Sequence, residues 1–483
     1  MGACGVTFDP VRSLDTTTHP AEVTGQLPSS GTPSQEPFDF PYDAYSRIIR
    51  RKLWEVVPKE LIRFGLLGTA QERRYVWERL GWLPRTIRRL DRRPIWIHAN
   101  AFGEVLAAKP LVRALRRRYP AVPLVVSTMN FSADTKARTE AACDGVFFAP
   151  YDSPRIVSRV LRQVRPRCLI FVEADLLPNL IRASTRQGVS VAVASGRYMD
   201  LQYWFDRRIR LTAEVFSQVS QFCMASEPDA DQIRRLVPDA RITLTGNLKL
   251  DALRLSAQAD IDGAMRLQQE FGLASNPPVW VAGSVHPGED EIVIDAFMAA
   301  RAQCPGLVLL LAPRYPEHAA RCERLLTARG LRCVRRSAVQ RGQARDGEEA
   351  ILLDAMGELR QCYALGTAAF VGGSLVPERW VPPGFVCEGH NPAEPVLFGK
   401  PVLFGPRMGN FSALRDACLQ HGLGWQVGDA TQLSQRVVEL IRNPDLRREI
   451  AQRSGAFWAA HPPAAEQTVE AIHHLLKGDH EPS

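Results

Sequence analysis

Residues 368–404 read AAFVGGSLVPERWVPPGFVCEGHNPAEPVLFGKPVLF, and the fold of the chain turns on this stretch. A short apolar run, Ala368–Val371, stops at Gly372-Gly373-Ser374, and a second, 401–404, closes the stretch. Between them Asn391-Pro392-Ala393-Glu394 has the form of a helix start. Asn caps, Pro takes the first helical position and Glu sits in the first turn. Strand, glycine loop, helix and strand make one βαβ unit. Such a unit aims backbone N–H groups beyond the strand ends, where a phosphate or carboxylate is well received. The plain alternative is a structural turn whose glycines serve packing.

Outward from this unit the same alternation continues. Short apolar runs at 94–99, 124–128, 146–148, 168–172 and 189–194 predict one set of strands separated by helical segments. Runs at 242–245, 279–282, 307–312, 333–334, 351–353, 368–371 and 402–404 predict a second set. Strands that are apolar along their whole length, alternating with helices, argue parallel sheets covered on both faces. The expected organisation is therefore α/β with two Rossmann-like domains facing across a crevice, residues 94–235 and 236–476, the second ending in C-terminal helices. A chain of 483 residues is long enough for two cores. Residues 336–349 are polar and read as a loop.

The N-terminal part is different. Residues 1–40 are rich in Thr, Pro, Ser and Gly and predict a disordered tail. Residues 41–93 predict a basic amphipathic helical segment. Ile48, Ile49, Leu53, Trp54, Val57, Leu61, Ile62 and Leu66 recur at helical spacing among Arg47, Arg50, Arg51, Lys52, Lys59 and Arg63. Basic residues beside Trp and Leu suit an anionic membrane surface. An ordinary helix packed on the next domain has the same pattern. No apolar run approaches a membrane span, and no signal-like core precedes the tail.

Charge and cysteine content narrow the chemistry. The net charge of +8 does not demand nucleic acid. The ten cysteines are scattered, with no CxxC pair and no His/Cys cluster at metal spacing, so no metal site and no cofactor are expected. A Walker A loop is missing, as is GxGxxG after the first strand, which disfavours phosphate-loop ATPases and ordinary NAD enzymes.

Chemistry is expected just after strands, at the crevice. Glu104 follows Gly103 in HANAFGE, at a helix start, where its carboxylate can act as a general base or merely complement the helix dipole. Glu173 and Asp175, in FVEADLLPN, point the same way if their strand continues. Arg314 ends a strand and can grip a phosphate. Gly283-Ser284 and Gly372-Gly373-Ser374 offer small loops through which a phosphate can approach backbone donors. His98, His286 and His390 fall in post-strand turns, suited to a sugar or carboxylate, though a lone loop histidine is more often structural.

Taken together, these turns resemble the Kdo (3-deoxy-D-manno-octulosonic acid) transferases of lipopolysaccharide synthesis, a GT-B glycosyltransferase family. The resemblance rests on WERLGWLP at 77–84, WIHANAFGEVLAAKPLVRAL at 96–115, PYDSP at 150–154 and VEADLLPNL at 172–180. It continues in order through TGNLKLD at 245–251, AGSVHPGEDEIV at 282–293, MGEL at 356–359, GGSLVP at 372–377 and GHNPAEPVLFGKPVLFGPRMGNF at 389–411. It implies a GT-B fold and inverting transfer of Kdo from CMP-Kdo to a lipid A precursor, without a metal. Glu104 then matches the family's general base, and Glu173 and Asp175 its second acidic pair. Ser284, Arg314, Gly357, Gly373, Ser374, Asn391 and Glu394 fall on the nucleotide side. The implied partners are CMP-Kdo, the lipid acceptor and an anionic membrane, with the protein peripheral on the cytoplasmic face of the bacterial inner membrane.

Departures from the family's pattern concentrate in the N-terminal domain. Its Ser-Val-Gly-Glu is Ala101-Phe102-Gly103-Glu104 here, and its Glu-Thr-Glu-Leu-Trp is Glu173-Ala174-Asp175-Leu176-Leu177. Its Pro-Arg-His is Pro313-Arg314-Tyr315, and an insertion occupies residues 378–387. The family's usual N-terminal membrane helix is replaced by the tail and the basic segment. The rival readings are a paralogous GT-B transferase with another acceptor or nucleotide sugar, and a non-catalytic membrane-surface binding protein.

Overall fold

The computed structural model describes residues 40–173, 176–197, 209–273, 275–376 and 388–476. The chain divides into two compact units, one comprising residues 1–252 and 463–483, the other Leu253–Pro462.

The first unit is built on seven parallel strands, β1 (Ile95–His98), β2 (Leu124–Thr128), β3 (Gly145–Phe148), β4 (Cys168–Val172), β5 (Ser190–Gly196), β6 (Gln221–Met224) and β7 (Ile242–Leu244). Their order is β3-β2-β1-β4-β5-β6-β7. In register, Ile95 stands opposite Leu124 on one side and Cys168 on the other. Side chains alternate across the sheet, as period two requires. Trp96, Leu169 and Phe171 enter one core with Val157 and Leu161. Ile95, Ile97, Ile170 and Val172 enter another with Val105, Leu111 and Leu115. Both faces are thus apolar, and each fully buried Ile or Leu contributes about 1.5–3 kcal/mol.

Helix Ala464–Leu476 covers this second face with Ala465, Val469 and Ile472. The expected boundary at 235/236 is therefore corrected in two ways. The run at 242–245 does not open the second domain: β7 pairs with β6 at the edge of the first sheet. The last helix does not close the second domain, because its apolar stripe finds a partner on the first.

The second unit repeats the design with β8 (Val279–Val285), β9 (Val308–Pro313), β10 (Cys333–Arg335), β11 (Ala350–Leu352), β12 (Ala368–Val371), β13 (Val402–Phe404) and β14 (Gly424–Gln426). Their order is β10-β11-β9-β8-β12-β13-β14, all parallel. Trp280, Leu309 and Phe370 face one core, and Val279, Val281, Ala369 and Val371 the other. Each sheet has a central point where the winding reverses: β1 lies between β2 and β4, and β8 between β9 and β12. Ligands of open α/β sheets bind beyond the strand ends at such points.

Strands β6 and β14 escape the sequence reading, since QFCM and GWQ are too short and mixed to stand out. The segment 336–349 is not wholly loop. Arg336–Gln340 forms a helical turn because Arg336 is buried and held by Glu358. The 1–39 part of the tail and the 378–387 insertion lie outside the described residues.

The basic segment begins with helix Phe40–Glu60, which docks on the first unit through its N-terminal half. The Tyr45 hydroxyl donates to Asp152 (3.0 Å) and Ser46 to Asn179 (2.9 Å). After Pro58, which cannot donate an intrahelical bond, the chain continues as a π-helical turn, Leu61–Leu66. Among the described residues no helix is long and apolar enough to cross a membrane.

Candidate active site

In the first unit the site is assembled beyond β1 and β4. Ala101, at the N-cap of helix Phe102–Arg118, has no side-chain oxygen with which to hold an N-terminal backbone donor. Glu104 acts there instead: its Oε2 accepts the backbone N–H of Asn100 at 2.6 Å. The bond pins the carboxylate at the helix start, where the dipole favours negative charge. A Cβ on Gly103 would meet no atom within 4 Å, so the helix start opens on space. Dipole complementarity and service as a base are thus compatible roles for one held, partly exposed carboxylate.

Glu173 follows β4 with φ +66°, a left-handed conformation that costs a side chain-bearing residue about 1 kcal/mol or more. The strand therefore ends, and the condition under which Glu173 and Asp175 would point alike is not met. Glu173 is buried, with Oε2 2.8 Å from Lys249 Nζ; Oε1 has no hydrogen-bond partner among the described residues. Asp175 lies outside the described residues. Nearby, Asp152 of PYDSP accepts the N–H groups of Asn179 (2.9 Å) and Leu180 (2.8 Å), capping helix Pro178–Arg186. Burial raises its carboxyl to about 6, against those bonds. Two of the sequence motifs are thereby tied to each other structurally.

His98 is no turn residue. It is buried within β1, its Nδ1 2.9 Å from Ser127 Oγ, and burial lowers it to about 4.

In the second unit, residues after β8, β9 and β12 converge. Ser284 has φ +56° where β8 bulges between Ala282 and Val285. Arg314 follows β9, exposed, its guanidinium 5.4 Å from the ring centre of Tyr315. His286 and His390 stack with ring centres 5.2 Å apart and Nε2 atoms 3.0 Å apart. Burial first, then Arg314 and a neighbouring histidine, lower His286 to about 4 and His390 to about 3, so the pair is neutral at about pH 7.

The glycine turns do not behave as the sequence suggests. The N–H groups of Gly373 and Ser374 do not point out to a ligand: both end on the buried carboxylate of Glu289, at 2.8 and 3.2 Å. The Ser374 hydroxyl is engaged too, donating to Val371 O and accepting from Gly405 N. Gly283 is small for packing, because a Cβ there would fall 2.1 Å from the Tyr363 hydroxyl. Gly357, at φ +91°, has open space where a side chain would be. Asn391 Oδ1 accepts the N–H of Ala393 at 3.0 Å, but the helix starts one residue later than expected, at Ala393, with Pro392 and not Asn391 at its N-cap. Burial raises Glu394 to about 7, opposed by Arg360 and reinforced by Asp260.

Three participants are missing from the residues named on sequence grounds: Lys249, Glu289 and Tyr363. Glu289 was the most accessible, since Gly288-Glu289 opens the helix after β8 as Gly103-Glu104 opens the helix after β1.

Comparisons with known proteins agree with this architecture. Residues 74–252 match the family described as 3-Deoxy-D-manno-octulosonic-acid transferase (kdotransferase). A 3-deoxy-D-manno-octulosonic acid transferase of Haemophilus influenzae is 31% identical over 369 residues, covering 75% of this chain and 82% of that protein. One from Bordetella pertussis is 30% identical over 395 residues, covering 79% and 87%. Among solved structures, UDP-GlcNAc 2-epimerase of Neisseria meningitidis bound to UDP-GlcNAc superposes with a TM-score of 0.55 at 15% identity, covering 79% of this chain and all (100%) of that one. That likeness concerns the fold, which is of the GT-B type. The chain belongs to the 3-deoxy-D-manno-octulosonic acid transferase family and is a glycosyltransferase.

Proposed function

We propose that this glycosyltransferase moves Kdo from CMP-Kdo to a lipid A precursor in lipopolysaccharide biosynthesis, with inversion. The observation that carries the reading is the held carboxylate of Glu104 at the reversal point of the first sheet. As general base it takes the proton of the acceptor hydroxyl while that oxygen bonds to the anomeric carbon. The bond from that carbon to the CMP phosphate breaks, and CMP leaves with the electron pair. Glu173, fixed by Lys249, and Asp175 serve as the second acidic pair, orienting the acceptor. Arg314, Ser284, Gly357, Asn391 and Glu394 receive the nucleotide, with Arg314 meeting developing phosphate charge. Gly373 and Ser374 serve the nucleotide indirectly, through Glu289.

The acceptor is an anionic lipid, and we assign the exposed basic and apolar surface of residues 47–67 to docking on the cytoplasmic face of the inner membrane. The test is CMP release from CMP-Kdo, with and without tetraacylated lipid A precursor, in wild type and Glu104→Ala. Release that requires both lipid and Glu104, with CMP binding retained in the variant, supports donor, acceptor and base together. A protein that binds CMP but ignores this lipid has another acceptor. Preference for UDP over CMP overturns the donor.

A further inference from the structure

Glu289 is a buried carboxylate of the second unit with both oxygens fully engaged by backbone donors. It is the first residue of helix Glu289–Gln303 and has no solvent exposure (0%). Oε2 accepts from His286 N (3.1 Å) and Gly373 N (2.8 Å); Oε1 accepts from Ser374 N (3.2 Å) and Leu375 N (2.8 Å). One side chain thus binds the turn after β8 to the turn after β12, across the reversal point of the sheet. Each turn delivers a histidine to the same place. His286 belongs to the first. His390 lies against the second, for a Cβ on Gly373 would come within 3.1 Å of its ring. The space between turns is already filled: a Cβ on Gly372 would lie 2.5 Å from Ser284 O and 2.7 Å from Glu289 Oε2.

We propose that Glu289 is a positioning residue for donor binding, which sets the two turns so that the His286–His390 pair, beside Arg314, is the polar surface offered to the donor's phosphate. The glycine-loop amides are then internal braces and not the phosphate cradle. This rests on the nucleotide-sugar reading above. The chemistry fits a phosphate ester. Of two neutral imidazoles sharing one Nε2–H···Nε2 bond, the accepting ring keeps an Nδ1–H to donate to a phosphate oxygen, the donating ring keeps an Nδ1 lone pair, and the adjacent guanidinium supplies positive charge. Among the described residues Arg314, Tyr315 and His318 face the pair, and the Glu289 carboxyl, which burial raises to about 7, holds the backbone of His286.

Glu289→Gln keeps the shape but replaces one acceptor oxygen by an NH2 that faces backbone N–H donors. Gly373→Ala keeps Glu289 itself but strains the braced turn at φ +72° and pushes on His390. Val293→Ala, in the core of the same helix, supplies a loss of stability without touching either turn. Two readouts are needed. By NMR on the free protein, the His286 and His390 rings of wild type stay neutral down to about pH 5. In Glu289→Gln at least one ring titrates closer to the ordinary histidine value. By calorimetry, CMP binds at least about tenfold more weakly to Glu289→Gln and Gly373→Ala, and unchanged to Val293→Ala. Unaltered ring titration in Glu289→Gln, or CMP affinity equal to wild type in both turn variants, overturns the proposal. Failure of wild type to bind CMP sinks the donor reading instead, and the ring titration alone then decides whether Glu289 sets the pair.

Discussion

The Nζ of Lys249 lies 2.8 Å from Oε2 of Glu173, joining the turn after β4 to the start of helix Leu248–Glu270. Glu173 is held there against its own backbone preference, at φ +66°. A residue in this conformation inverts the usual ranking of alanine and glycine. Glu173→Ala loses the ion pair and keeps the strain; Glu173→Gly loses the same ion pair and relieves it. Glu173→Gly should therefore be more stable than Glu173→Ala by about 1 kcal/mol in urea unfolding. Transfer activity should fall in both. Glycine equal to or below alanine would mean that the turn, not the side chain, dictates the conformation at no cost.

His98 gives a pH dependence with a defined sign. Its ring is buried in β1, and burial lowers it from 6.5 to about 4. A histidine depressed on folding contributes stability that is present above its unfolded value and is lost as pH falls through the folded one. The window is therefore about pH 6.5 down to 4, and the loss about 3 kcal/mol. His286 and His390 titrate low as well, so the group is isolated by difference. Wild type should lose stability more steeply than His98→Gln across this window. Parallel curves would show that His98 titrates normally. The Ser127 hydroxyl accepts from Trp96 Nε1 (2.8 Å) and lies 2.9 Å from His98 Nδ1, which fixes the ring within the strand.

How much of this was legible in the sequence follows from which residues announce themselves. Runs such as Cys168–Val172 and Ala368–Val371 are apolar throughout because both faces of their strands are covered, and they fix the two sheets. The apolar stripe of helix Ala464–Leu476 is equally plain, but a stripe does not name the sheet that covers it. The same holds at the site. Gly372-Gly373-Ser374 looks like a phosphate loop because glycines and small residues expose N–H groups. That those groups meet Glu289, distant in sequence, is a matter of tertiary contact. Glu104 was readable because its partner, Asn100, is local.

The membrane surface proposed for residues 47–67 yields the last prediction. In the π-helical turn, Leu61 and Phe64 pack against Tyr75, Val76 and Phe148, and Gly65 is buried. That anchoring turns Ile62, Leu66 and Leu67 outward, the last two 73% and 81% exposed, and Trp54 on the preceding helix is 77% exposed. Exposed Arg47, Arg50, Arg51, Lys59 and Arg63 accompany them. Apolar side chains that no described residue covers, among cations, suit an anionic bilayer interface, where insertion and attraction add. Leu66→Ser with Leu67→Ser removes apolar area only, and should weaken partition onto phosphatidylglycerol-containing vesicles about tenfold or more. The melting temperature should stay near wild type, since neither side chain supports the core. Raising salt should weaken wild-type binding by screening the arginines, and should act on the double variant in the same proportion. Unchanged partition of the double variant in sedimentation with such vesicles would remove this surface from membrane docking and leave it as an ordinary solvated helix.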